Sequence, residues 1–252
     1  MRHQAIRQGI RILKPLYDGN RVRSEWNASE DAEHFSLTYE EIILPGHGRI
    51  SVQERQTIEK KLSFFYARIG KPILDYVMAV VLIAILSPSL LFIAVLVKIN
   101  SRGSVIFRQK RIGLNNRPFM MYKFRSMYAD SPAYSLKPCS SSDPRITPVG
   151  RWLRKASLDE LPQLFNVLKG DMSLIGPRPE MSFLAREYNE LENQRHLAKP
   201  GITGLWQLSP GRSLAIRDGI HWDLQYIENL SFLNDLKILF RTFKVFRGGN
   251  TY

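Results

Sequence analysis

Hydrophobic residues follow different spacings in different parts of this chain, and each spacing predicts a different element. Residues 73–97 are apolar on every side, with Asp75, Ser87, Pro88 and Ser89 as the only polar or helix-breaking interruptions. All-round hydrophobicity marks a helix that meets lipid rather than one wet face. A helix of that length rises about 37 Å against a bilayer core of about 30 Å. Pro88 predicts a bend or a break, because it removes one helical hydrogen bond and its ring crowds the preceding turn. Ser87 and Ser89 have hydroxyls to satisfy the backbone groups freed there. Divided at Pro88, the legs 73–86 and 89–97 are roughly 21 and 13 Å long, and neither crosses alone. Basic residues flank both ends: Lys60, Lys61, Arg68 and Lys71 before, Lys98, Arg102, Arg108, Lys110 and Arg111 after. Since basic flanks stay cytoplasmic, the expected arrangement is a re-entrant helix with both ends on one side, with a kinked full span as the alternative.

Residues 222–246 have a helical pattern of another kind. Leu224, Ile227, Leu233, Leu236, Ile238, Leu239, Phe240 and Phe243 make a broad apolar face, interleaved with Lys237, Arg241, Lys244 and Arg247. That combination suits a helix lying in a membrane interface as well as one packed on a core. A shorter amphipathic stretch occupies residues 5–13, with Ile6, Ile10 and Leu13 on one side. Residues 105–107 and 119–127 read as strands, residues 157–168 and 180–197 as helices, and the Ser- and Pro-rich segment 128–147 as a loop. The fold class expected is α+β: mainly helical and membrane-associated, with a small sheet. Three segments follow: an extension over 1–70, the membrane helix over 71–98, and a domain over 99–252.

Charge adds a partner class. The formal net charge is +13, and 24 basic against 13 acidic side chains fall in residues 98–252. Such a surplus calls for an anionic partner: nucleic acid, a phosphorylated substrate or an anionic membrane. A membrane-tethered nucleic-acid-binding module is the competing reading, but no reader motif and no aromatic stacking platform is present. Cys139 is the single cysteine, so no internal disulfide forms. It lies in a Ser-rich run with no histidine motif to activate it, and is read as inert.

The candidate chemistry centres on Asp159-Glu160. Ser157 followed by Glu160 fits a capping box, which alone explains acidic residues at a helix start. The surroundings change the balance. Arg151, Arg154 and Lys155 stand just upstream. On the strand 122–126, Lys123 and Arg125 are two residues apart and so share a face, a suitable clamp for a diphosphate. Arg178 sits between Pro177 and Pro179, whose fixed φ angles reduce the entropy lost in aiming it.

The stretches Val105-Ile-Phe-Arg-Gln-Lys-Arg-Ile-Gly113, Tyr122-Lys-Phe-Arg-Ser-Met127, the run from Ser157 to Pro179, and Lys199-Pro-Gly-Ile-Thr-Gly-Leu-Trp-Gln207 together resemble the bacterial polyprenyl-phosphate sugar-1-phosphate transferases, the monotopic phosphoglycosyl transferases. The likeness covers most of residues 71–252, and the Ser87-Pro88 break matches the family's re-entrant helix. It departs from the family at Ser104, at Pro210 and in the Ser-rich loop. The resemblance implies transfer of a sugar-1-phosphate, glucose or galactose by family habit, from a UDP-sugar to undecaprenyl phosphate at the cytoplasmic face of the inner membrane. By the same resemblance Asp159 is the nucleophile of an aspartyl-phosphosugar intermediate, UMP leaves, and Mg²⁺ is the cofactor, with Glu160 its foremost ligand beside Asp159. Lys123, Arg125, Arg154 and Arg178 hold phosphate oxygens. Membrane lipid is an expected partner and nucleic acid is not.

Overall fold

The computed structural model describes residues 65–132, 142–210 and 216–247. The extension's amphipathic stretch and Cys139 lie outside the described residues. Helix α1 (Lys71–Asn100) follows a π-helical turn at Tyr66–Gly70. A hairpin comes next, of β1 (Ile106–Ile112) and β2 (Pro118–Phe124), and then α2 (Pro148–Lys155) and α3 (Gln163–Leu168). The short β3 (Ser173–Ile175) and β4 (Glu180–Met181) precede two single-turn helices, α4 (Ser182–Ala185) and α5 (Glu190–Asn193). Finally come β5 (Gly201–Thr203), α6 (Leu205–Leu208), α7 (Ile220–Glu228) and α8 (Phe232–Arg247).

The fold class is α+β as expected, but the described residues hold two small sheets rather than one. In the first, β1 is central and antiparallel to both β2 and β4, with Phe107 opposite Lys123 and Ile112 opposite Glu180. In the second, β3 and β5 run parallel, Ser173 opposite Gly201. The two predicted strands are displaced by one residue at their starts, and the second ends three residues early.

Helix α1 differs from its expectation. Instead of breaking at Pro88 it is continuous from Lys71 to Asn100. The missing N–H of Pro88 would have served the carbonyl of Ala84, and the Ser87 hydroxyl donates to that same carbonyl at 2.8 Å. The orphaned acceptor is satisfied locally, so the helix continues past the proline.

Both ends of α1 seat on the same domain. Lys71, Asp75 and Ala79, each four residues apart, are buried, and so are Ile93 and Val97. Ala79 belongs to a cluster with Met121, Val167 and Met172; Ile93 and Val97 belong to one with Phe124 and Leu153. Each such aliphatic side chain withdrawn from water contributes about 1.5–3 kcal/mol. Asp75, the acid inside the apolar run, faces the domain, where its Oδ1 accepts from the Leu174 amide at 3.0 Å. Between these contacts Val80, Val81, Ile85, Leu91 and Phe92 are exposed. This helix, counted from Tyr66 to Asn100, is long and apolar enough to cross a membrane.

A third cluster, of Ile175, Ala198, Tyr226, Ile227 and Ile238, joins β3, α7 and α8. Its polar counterpart is Asp235, which accepts from Lys71 Nζ at 2.6 Å, Tyr66 Oη at 2.7 Å and Tyr226 Oη at 3.0 Å. The start of α1 and the start of α8 are thereby tied to one carboxylate. The other face of α8 carries exposed Leu233, Phe240 and Phe243. The single helix expected over 222–246 is two, α7 and α8, separated at Asn229 to Ser231. The helix expected over 180–197 is also divided, into β4, α4, α5 and a 3₁₀ turn at Gln194–Leu197.

Candidate active site

Asp159 and Glu160 occupy a 3₁₀ turn, Leu158–Glu160, between α2 and α3. The capping box expected at Ser157 does not form there. Ser157 adopts φ 52°, a left-handed conformation, and its side chain caps nothing. Residues without a Cβ penalty prefer that region, so a serine there reflects constraint by the surrounding turn. The true capping box is at Asn189 and Glu192, at the start of α5. The simplest structural explanation of the acidic pair is thereby removed.

The two carboxylates have different surroundings. Glu160 Oε1 accepts from Lys123 Nζ at 2.7 Å and from Arg178 Nη2 at 3.1 Å. Both cations take the same oxygen, which leaves Oε2 without a hydrogen bond among the described residues. Asp159 is 8% exposed and forms no hydrogen bond or ion pair among the described residues. Burial pushes its carboxyl above the usual range; Lys123 pulls the other way, the charge of Glu160 adds to the rise, and Arg154 and Arg178 oppose it. Burial also acts upward on Glu160 and is the largest influence there, but Lys123 and Arg178 together hold it well below the ordinary carboxylate range. Desolvation lowers the Lys123 ammonium while Glu160 supports it, and Glu160 raises the Arg178 guanidinium. One carboxylate is thus locked in an ionised cluster, and its neighbour is buried and unpartnered.

Several elements place these groups. Lys123 is the penultimate residue of β2. The strand is fixed on α3 by Asn166, whose side chain is fully buried and behaves as a neighbouring strand would. Its Oδ1 accepts from the Tyr122 amide at 3.0 Å and its Nδ2 donates to Met120 O at 2.7 Å. Arg178 lies in the Gly176-Pro177-Arg178-Pro179 loop. A Cβ at Gly176 would meet Lys199 O, and one at Gly201 would meet Gly176 N. Only glycines allow that backbone contact, which sets the loop against β5. Below, Trp206 lies 5.8 Å from the Arg178 guanidinium carbon. Arg195 Nη2 donates to Arg178 O at 2.6 Å and forms an ion pair with Asp223 at 2.6 Å, with side chains 1% and 2% exposed. Lys123 and Arg178 also line a small cavity with Arg111, Gln163 and Pro179.

Of the cations expected at the site, Lys123 and Arg178 bind Glu160 directly. Arg154 is felt at Asp159 through its charge but makes no hydrogen bond to it. Arg125 is corrected: it is 6% exposed, and its Nη2 donates to Val97 O at 3.3 Å, Ser101 O at 2.6 Å and Ser101 Oγ at 3.0 Å. It caps the last carbonyls of α1 instead of sharing the face of Lys123. The strand ends at Phe124, so the alternation that pairs 123 with 125 no longer applies. Ser87 and Pro88 mark a continuous helix, as described. Arg195, Asp223 and Asn166 were not anticipated. Buried polar side chains in short irregular segments leave no periodic signal; the only trace is an Arg within the polar run 193–196.

A divalent metal was tested on the donor set. Among the described residues no group of three or more His, Cys, Asp or Glu side chains gathers. Mg²⁺ does not need one, since it commonly takes one or two carboxylates and keeps water and substrate phosphate in its other positions. Asp159 and the unengaged Glu160 Oε2 fit that requirement.

Comparison with known proteins bears on the same residues. The bacterial sugar transferase family matches residues 66–249. The chain is 45% identical over 182 residues to an undecaprenyl-phosphate glucose phosphotransferase of Komagataeibacter xylinus, which covers 68% of this chain and 34% of that protein. It is 42% identical over 182 residues to a UDP-N-acetylgalactosamine-undecaprenyl-phosphate N-acetylgalactosaminephosphotransferase of Aeromonas hydrophila, covering 70% and 43%. A UDP-glucose:undecaprenyl-phosphate glucose-1-phosphate transferase of Caulobacter vibrioides is 42% identical over 180 residues, covering 68% and 67%. The match spans about a third to two fifths of the first two relatives. The matched residues take in α1, the hairpin, the carboxylate pair and the Arg178 loop together, and on that ground the chain belongs to the bacterial sugar transferase family.

Proposed function

We propose that this protein transfers a sugar-1-phosphate from a UDP-sugar to undecaprenyl phosphate and releases UMP. The observation that carries the reading is the contrast within the acidic pair: a buried, unpartnered Asp159 beside a Glu160 held by two cations. A carboxylate that attacks phosphorus must be free of hydrogen bonds that lower its nucleophilicity, and it must be aimed by its surroundings. Asp159 meets the first condition, and the rigid Glu160 cluster meets the second.

In the first step an Asp159 oxygen forms a bond to the phosphorus bearing the sugar, and the bond from that phosphorus to the bridging oxygen breaks. UMP carries away the electron pair. In the second step the phosphate of undecaprenyl phosphate attacks the same phosphorus and frees the Asp159 carboxylate. Lys123 and Arg178 balance the charge that gathers on phosphate oxygens, and Arg154 adds to the field. When bound, Mg²⁺ would be held by Asp159 and Glu160 and would supply positive charge against the repulsion of two anions.

The apolar surfaces fit the second substrate. Both ends of α1 pack on one domain while its middle is exposed, which favours both ends lying on one side of the membrane; a dip into one leaflet and back then requires the continuous helix to bend at Pro88. The exposed Leu233, Phe240 and Phe243 of α8, beside Lys237, Arg241 and Lys244, suit the interface of the same leaflet. A lipid phosphate at headgroup level then lies near the carboxylates, on the cytoplasmic face of the inner membrane.

The direct test is release of UMP from a panel of UDP-sugars by the purified chain in undecaprenyl-phosphate vesicles. Asp159→Asn should abolish it, Glu160→Gln should nearly do so, and EDTA should stop the wild-type protein. Normal turnover by Asp159→Asn would rule out the covalent route. The sugar accepted in the panel fixes the donor, whether glucose, galactose or an acetamido sugar.

A further inference from the structure

Gln163 has no part in the chemistry described so far, yet it lines the small cavity beside Lys123 and Arg178. It opens α3, three residues after Glu160 and four after Asp159. Leu161 and Pro162, in between, keep right-handed helical backbone. At that spacing on a helical winding Gln163 shares a face with the acidic pair, with Cβ atoms about 5–6 Å apart. It is 2% exposed, and its side chain makes no hydrogen bond among the described residues. Unlike the amide of Gln207, which is sealed without a partner, the Gln163 amide stays within reach of the cavity.

The cavity measures about 10 Å³, room for one oxygen atom. Its other walls are Arg111, Met121, Lys123, Arg178 and Pro179, so three cations and no carboxylate line it among the described residues. Glu160 and Glu180 meet these cations from outside the lining. Lys123 and Arg178 each give one hydrogen bond to Glu160 and have N–H groups to spare. Arg111 donates to Gln109 Oε1 at 2.7 Å and to Pro179 O at 3.3 Å, and adds its charge to the wall. The side chains of the lining thus offer an excess of donors and one acceptor, Gln163 Oε1. A water in the cavity would have two protons and one place to put them. An anionic oxygen, with no proton, meets no such conflict. The rim reaches solvent, since the Lys123 and Arg178 side chains are 17% and 28% exposed.

We infer that this cavity is a socket for one non-bridging oxygen of the donor's diphosphate, with a Gln163 amide N–H donating to it between Lys123 and Arg178. The inference rests on the transferase reading above and extends it to a further substrate-binding residue. A socket of one-atom size fixes a phosphate in rotation as well as in place, because only one of its oxygens can enter. The phosphorus is then presented in a single orientation to Asp159, one helical turn away. A neutral amide suits the position, since a carboxylate there would answer the three cations with its own charge and exclude the anion.

Calorimetric titration of the purified full chain with inorganic diphosphate tests this, with thermal unfolding of each variant alongside. Gln163→Leu, close in volume, should weaken diphosphate about tenfold to a hundredfold, the effect of one hydrogen bond to a charged group. In turnover KM for the UDP-sugar should rise with it. Gln163→Glu has the same shape and the wrong charge. It should abolish diphosphate binding and yet unfold no earlier than the wild type, because the new carboxylate finds Lys123 and Arg178. Unchanged diphosphate affinity in both variants, in a protein that still releases UMP from UDP-sugars, overturns the socket and leaves the transferase reading standing. Binding lost only in step with a lower unfolding midpoint in both variants gives Gln163 a packing role and also overturns the socket. A wild-type protein that neither binds diphosphate nor releases UMP overturns both readings.

Discussion

Asp159 and Glu160 are adjacent in sequence but differ in every interaction, and that difference was not readable from the sequence. A capping box was the simplest expectation for Ser157 and Glu160, and it failed: Ser157 is held in a left-handed conformation and its side chain caps nothing. Lys123 and Arg178 were legible, one from strand alternation and one from the prolines around it. Arg125 was misplaced because the alternation stops one residue before it. At this scale the electrostatics give a signed prediction. The proposed reaction needs Asp159 ionised, and burial raises its pKa. Activity should then fall on the acid side at a pH above the ordinary carboxylate range. Arg154 lowers that pKa through its charge without touching Asp159, so Arg154→Gln should move the acid limb of kcat/KM to higher pH. A limb that stays in place would show that the protonation of Asp159 does not govern the rate.

Among the elements, α1 was the most legible in extent and the least in detail. Its hydrophobic run predicted 73–97 and the structure has Lys71–Asn100. The predicted break at Pro88 did not occur because Ser87 supplies the hydrogen bond to Ala84 that the proline cannot. Ser87→Ala should leave that carbonyl unsatisfied and lower stability by about 1 kcal/mol, seen as a lower unfolding midpoint in detergent; in Pro88→Ala, where the amide is restored, the same Ser87 change should cost less. Topology has its own test. Single cysteines in place of Pro72 and Asn100, just inside the two ends, should both resist a membrane-impermeant reagent added from outside the cell. Reaction at either one would mean a full span. The division of 180–197 into four short pieces was not readable, since none is longer than four residues and none carries a full sequence pattern. α2 was missed despite Thr147-Pro148, a cap followed by the residue best suited to a first turn.

For the molecule as a whole, the α+β class was visible in advance, whereas the polar struts inside were not. Arg195 and Asp223 form one such strut, 28 residues apart and almost fully buried. Asp223→Asn leaves a buried guanidinium without its counter-charge and should cost roughly 3–5 kcal/mol, measured by chemical denaturation. Since Arg195 also holds the Arg178 carbonyl, the apolar double variant Arg195→Met with Asp223→Leu should regain stability without regaining activity. Full activity in that double variant would show that the strut has no part in aiming Arg178. The Asp235 junction acts over a longer range. By accepting from Tyr66 and Lys71 on one side and Tyr226 on the other, at the first turn of α8, it makes the two elements with exposed apolar faces a single gauge. In a bilayer such a gauge sets how high the carboxylates ride above the acyl chains. On the proposed function, a thicker or thinner membrane would change how readily the protein docks, while the height at which a lipid phosphate meets Asp159 would stay built into the protein.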